Sequence, residues 1–134
     1  MTDNNIMENK ERRKNPRVQI FDPITYLISN ADGDALEQNI AVVRNVSKTG
    51  IQIETFRAIH SKDISLMFFD LSQKQIEVKG EVVYCRKKEA GQYHIGINFV
   101  GKAEENLHFV KALVKSYHYQ KERSHLVISP GIQN

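Results

Sequence analysis

From Val18 onward, apolar residues recur at every second position, and turn-forming residues interrupt them at regular intervals. Ile24, Tyr26 and Ile28 alternate with Thr25 and Ser29, as in a strand with one buried face. Asn30-Ala31-Asp32-Gly33-Asp34 predicts a turn, because Gly33 takes positive φ at little cost. Gln38 to Val46 is rich in β-branched residues and predicts the return strand, which Ser47-Lys48-Thr49-Gly50 ends. Ile51-Gln52-Ile53-Glu54-Thr55 alternates again, and the run ISLMFFDL (Ile64 to Leu71) predicts a strand with a strongly apolar face. Gln75 to Arg86 is long and alternating, with Gly80 expected as a bend or bulge. Tyr93 to Phe99 closes the series. Short strands with turn signals at this spacing point to an antiparallel sandwich or barrel.

The period then changes. In AEENLHFVKALVKSYHYQK, Leu107, Val110, Val114 and Tyr117 fall on one helical face, with Phe109 and Leu113 beside it. Glu104 and Glu105 in the first turn and Lys121 near the end suit the helix dipole. The pattern predicts one helix packed on the sheet. Residues 1–10 read as a flexible lead-in, 11–122 as one domain, and 123–134, with Pro130 and Gly131, as a loose tail.

Composition narrows the class. The chain has 134 residues, 40% hydrophobic and 26% charged, which suits one soluble globular domain. No apolar run reaches the ~20 residues needed to span a membrane, so no membrane insertion is expected. The polar N-terminus carries no signal-peptide pattern, and the single cysteine, Cys85, cannot form an internal disulfide. A reducing, cytoplasmic setting is the expectation, with Cys85 as a small buried hydrophobe. Net charge is only +3, but it is uneven. Residues 1–17 carry five cations and three anions, which leaves 14 cations and 13 anions for the rest. The basic signal is therefore local.

Most chemistry is unmarked. The five histidines lack HExxH spacing and cysteine partners, so no metal or cofactor is expected. Ser47 is in no GxSxG elbow, SKTG lacks the glycine and GK[ST] order of a P-loop, and no carboxylate pair suggests acid–base work. The chain is not expected to be an enzyme.

Two short motifs remain. Arg13-Lys14-Asn15-Pro16-Arg17 is RxxxR, and after one hairpin Asn45-Val46-Ser47-Lys48-Thr49-Gly50 is [D/N]xSxxG. This pair, in this order, resembles the signature motifs of the PilZ family, whose domains bind the bacterial second messenger cyclic di-GMP. Gly80-Glu81-Val82-Val83-Tyr84 resembles the family's GxVxW/Y strand and Gly96-Ile97-Asn98-Phe99 its GxxF strand, so the similarity covers about Glu11 to Tyr119. The chain departs from the pattern in having Tyr84 where many members have tryptophan, and Asn45 where many have aspartate. The resemblance implies a six-stranded antiparallel β-barrel with a C-terminal α-helix.

The implied ligand explains the residue types. It offers two phosphates and two guanines, and arginine suits both, since it bonds phosphate bidentately, matches guanine O6 and N7, and stacks on the ring. Pro16 keeps the arm out of a helix, so Arg13 and Arg17 are not simply one helical turn apart. The resemblance assigns ligand binding to Arg12, Arg13, Arg17, Asn45, Ser47 and Gly50, with Asn45 meeting guanine donors and Gly50 supplying positive φ and close backbone approach. Arg44, Tyr84 and Arg86 are further candidates. In the family, an arginine just before RxxxR favours a stacked ligand dimer, so Arg12 implies two cyclic di-GMP molecules per protomer. The implied role is a receptor whose arm orders against the barrel and alters a surface for an unidentified downstream protein. Two other readings compete, a single-strand nucleic-acid-binding barrel and a PilZ-like adaptor without a ligand. No DNA or RNA is expected as partner, because Phe68, Phe69, Tyr93 and Phe99 sit at core-like positions and the basic cluster is short.

Overall fold

The computed structural model describes residues 16–132, with side chains described through Arg123. Six strands form: β1 (Val18–Ser29), β2 (Ala35–Val46), β3 (Gly50–Thr55), β4 (Asp63–Phe69), β5 (Gln75–Lys87) and β6 (Tyr93–Phe99). They close into an antiparallel barrel in the order β1-β2-β3-β6-β5-β4, with β4 returning to β1 through Thr25↔Met67, Tyr26↔Leu66 and Leu27↔Ser65. Closure removes the open edges that a sheet of this length would otherwise expose. One helix, α1 (Ala103–Ile132), follows β6.

Alternation does the sorting. Ile20, Ile24, Tyr26 and Ile28 of β1, Val43 and Val46 of β2, Ile51 and Ile53 of β3, Leu66 of β4 and Ile95 and Ile97 of β6 are all buried in one core. α1 completes it with Phe109, Val110 and Leu113, while Val114 and Tyr117 pack at its margin. The Phe109 ring meets Phe68 and Phe99 edge-on, with centroids 5.4 and 5.8 Å apart, an arrangement that the ring quadrupoles favour. Phe68 and Phe99 are thus half-buried and packed against the core. Asn106 and Ser116 share the buried helical face, two polar positions that the apolar pattern passes over.

Several expectations need correction. α1 does not stop near Lys121 but runs to Ile132, so the backbone expected as a tail is helical through most of its length. No glycine or proline falls between Lys121 and Ser129 to end it. Lys121 is accordingly not in the last turn. β4 ends at Phe69, and Leu71 lies in the turn that follows, where Asp70 Oδ1 accepts from the backbone N–H of Ser72 (2.8 Å) and Lys74 (2.9 Å). Phe69 is exposed rather than core. Cys85 is exposed as well, because β5 has no buried residue beyond Gly80. Gly80 is not the bulge. The extra residue on β5 comes between Val82 and Tyr84, and Gly80 serves instead for close approach, since a Cβ there would collide with the Ile97 side chain.

Candidate functional site

Three strands carry an extra residue near the same end of the barrel: β1 between Gln19 and Asp22, β2 between Val43 and Asn45, and β5 between Val82 and Tyr84. A bulge re-aims side chains. On β2 it leaves Arg44 and Asn45, neighbours in sequence, both half-exposed on the outside of the barrel.

The register then lines up one outer row. Gln19 pairs with Asn45, Asn45 with Gln52, Gln52 with Gly96, and Gly96 with Tyr84. Side chains join it by hydrogen bonds. Arg17 Nη1 donates to Asn45 Oδ1 at 2.7 Å. Asn45 Nδ2 donates to Gln52 Oε1 at 3.1 Å. Gln52 Nε2 donates to Tyr84 Oη at 2.7 Å. The Arg86 guanidinium lies 4.3 Å from the Tyr84 ring centroid, within cation–π range. The row thus runs from the arm across β1, β2, β3 and β6 to β5. It carries Arg17 and no carboxylate, and Arg86 adjoins its far end from the neighbouring row, where it pairs with His94. This cationic character suits an anionic ligand.

Gly96 makes the far end possible. A Cβ at this position would collide with the Tyr84 ring, so the ring lies over the glycine and its hydroxyl reaches β3. The aromatic of the GxVxY strand and the glycine of the GxxF strand thus form one unit.

The second motif is a tight turn. Ser47 N donates to Gly50 O at 2.8 Å, and Phe99 N donates to Thr49 O at 2.9 Å, tying the turn to β6. Ser47 is buried. Its Oγ accepts from Thr49 N at 3.3 Å and lies 3.3 Å from Thr49 Oγ1, so in this structure it shapes the turn. Gly50 is not among the positive-φ glycines, which are Gly33, Gly91 and Gly101. Its need for glycine is steric, because a Cβ there would stand 2.7 Å from the Ile97 carbonyl oxygen.

Arg44 belongs to a second, neighbouring row. Its Nη1 donates to Glu54 Oε1 at 3.0 Å, and its guanidinium lies 5.7 Å from the exposed Phe21 ring. His94 Nε2 is 3.2 Å from the same Glu54 oxygen. Glu54 neutralises Arg44, so Arg44 contributes less to the field of the site than Arg17 or Arg86.

The structure therefore brings together Arg17, Asn45, Tyr84 and Arg86, and places Ser47 and Gly50 at the turn that joins β2 to β3. Arg12 and Arg13 lie outside the described residues. The sequence reading missed Gln52, whose only signal was its outward place in an alternating strand. Among the described residues no cluster of His, Cys, Asp or Glu could hold a metal, and no helix is long and apolar enough to cross a membrane. Two clefts, one of about 260 Å³ between α1 and the β4–β5 turn and one of about 350 Å³ beside Val100 and Gly101, include no member of the row.

Comparison with known proteins agrees with this architecture. The PilZ domain family matches residues 11–116. The barrel is similar to the PilZ domain of YcgR from Escherichia coli, solved with c-di-GMP, at a TM-score of 0.59 and 9% identity over 85% of this chain and 98% of that one. It is also similar to the K. pneumonia MrkH–c-di-GMP complex (TM-score 0.55, 14% identity, 84% of this chain and 55% of that one). The Bacillus subtilis inhibitor of motility MotI/DgrA is a third (TM-score 0.54, 13% identity, 83% and 52%). The chain spans about half the length of the last two. No curated protein sequence matches it. At these identities the solved structures establish the fold, while the family match covers most of the sequence. The chain belongs to the PilZ domain family.

Proposed function

We propose that this chain is a cyclic di-GMP receptor, acting in the cytoplasm by binding rather than by chemistry. One observation carries the reading. Arg17 and Asn45, 28 residues apart and drawn from the two motifs, are joined by a 2.7 Å hydrogen bond at one end of a cationic row. Arg12, Arg13 and Arg17 hold phosphates and guanine edges from the arm side. Asn45 faces guanine donors, the Ser47–Gly50 turn gives the wall its shape and close approach, and Tyr84 with Arg86 offers a flat cationic face to a base. YcgR and MrkH structures with c-di-GMP support the reading by likeness of fold.

Arg12 underlies a stoichiometry of two molecules per protomer, with its guanidinium stacked on an outer base. Binding orders the arm against the barrel and changes the surface shown to a downstream protein, a population shift driven by differential affinity.

Isothermal titration with cyclic di-GMP tests the assignment. Saturation at two molecules per chain is expected, and saturation at one removes the stacked dimer. Arg17→Ala should weaken binding by about 1.5–3 kcal/mol, the range for a charge-assisted hydrogen bond. Unchanged affinity in both Arg17→Ala and Ser47→Ala overturns the site.

A further inference from the structure

Gln52 stands at the centre of the row and belongs to neither motif. Both ends of its amide are used, Oε1 accepting from Asn45 Nδ2 at 3.1 Å and Nε2 donating to Tyr84 Oη at 2.7 Å. Each bond removes a freedom that its neighbour would otherwise have. The terminal torsion of an asparagine is broad and roughly two-fold. With Nδ2 committed to Gln52, Asn45 keeps Oδ1 on the side of Arg17, where an acceptor is needed. Tyr84 lies over Gly96, which has no side chain to lock the ring laterally, and Arg86 meets only its face. The hydroxyl bond to Gln52 fixes its reach.

The bonds also run in one direction. Arg17 donates to Asn45, Asn45 to Gln52, and Gln52 to Tyr84.

We propose that Gln52 is a positioning residue of the cyclic di-GMP site. It sets the amide orientation of Asn45 and pins the Tyr84 ring, so that the second motif and the Tyr84–Arg86 pair present one prepared surface. This role rests on the receptor reading above.

The test is a cycle of calorimetric titrations with cyclic di-GMP on wild type, Gln52→Met, Tyr84→Phe and the double variant. Methionine keeps the length of glutamine and removes both hydrogen bonds. Each single variant should weaken binding about tenfold, as for a lost hydrogen bond at an otherwise intact surface. The double variant should be no more than about twofold weaker than the poorer single, because both changes cut the same bond. Thermal midpoints of the ligand-free proteins should stay within a few degrees of one another. Gln52→Met binding like wild type, additive losses in the double variant, or a loss that tracks a fallen midpoint each overturns the positioning role alone. A wild type that binds no cyclic di-GMP overturns the receptor reading and the positioning role together.

Discussion

Tyr84 can reach across β6 because Gly96 has no side chain. Adding one methyl group sets a side chain against the ring it supports. Gly96→Ala should keep the barrel, cost about 1–3 kcal/mol as overpacking does, and weaken cyclic di-GMP binding by displacing Tyr84. Urea denaturation and calorimetry read the two effects separately. Asp22 is a different case. It is buried on β1, and burial pushes its carboxyl above the usual carboxylate range. A raised folded pKa means that its stabilising contribution is complete below the unfolded value, near 3.9, and is lost as pH rises through the folded pKa. Asp22→Asn should therefore stabilise the protein at pH 7, and the gain should vanish on acidification to below about pH 4. Denaturation midpoints of the two proteins, compared at both pH values, check it. Arg17 and Asn45 stood out in the sequence because the two motifs, taken together and in that order, resemble those of the family. Gln52 did not, since a glutamine facing outward from a strand reads like any solvated polar residue until the register sets it between Asn45 and Tyr84.

The strands and the helix followed from periodicity, because period two and period 3.6 each need only local information. Bulges are different. An extra residue on β2 is defined only against Ile53 and Gln52 of β3, and the one on β5 only against Ile97 and Gly96 of β6. That is why Gly80 drew the expectation and the Val82–Tyr84 interval carried the bulge. At the helix, the Phe109 side chain is fully buried and lies against Phe68 and Phe99. Phe109→Ala should destabilise the domain by about 3–5 kcal/mol, the usual cost of emptying such a position. Leu107→Ala, on the half-buried margin of the same helix, should cost clearly less, and chemical denaturation of the pair gives the contrast.

At the scale of the molecule, strand order decides where the site can be. β1, β2, β3, β6 and β5 are successive neighbours in the barrel and present a continuous outer surface between Arg17 and Arg86. A ligand that binds only this folded surface must stabilise it by mass action. Cyclic di-GMP at a hundred times its Kd should add about 2.7 kcal/mol to the unfolding free energy, seen as a rise in thermal midpoint that Arg17→Ala reduces. Because the row is cationic and exposed, affinity should also fall as salt is raised, through screening of the phosphate contacts. Titrations at low and high sodium chloride measure that slope.

By itself the sequence determined the strand and helix periods, most of the core-facing positions on the strands, and the two motifs that resemble those of the family. Those depend on local alternation and on side-chain identity. Periodicity alone left sandwich and barrel open, the family resemblance implied the six-stranded barrel, and the structure has it. Only the tertiary structure placed Tyr84 over Gly96, engaged Ser47 in its own turn and made Gln52 the link between the motifs. Each of these depends on which strand lies beside which, and in what register, and register is a relation between segments far apart in the chain.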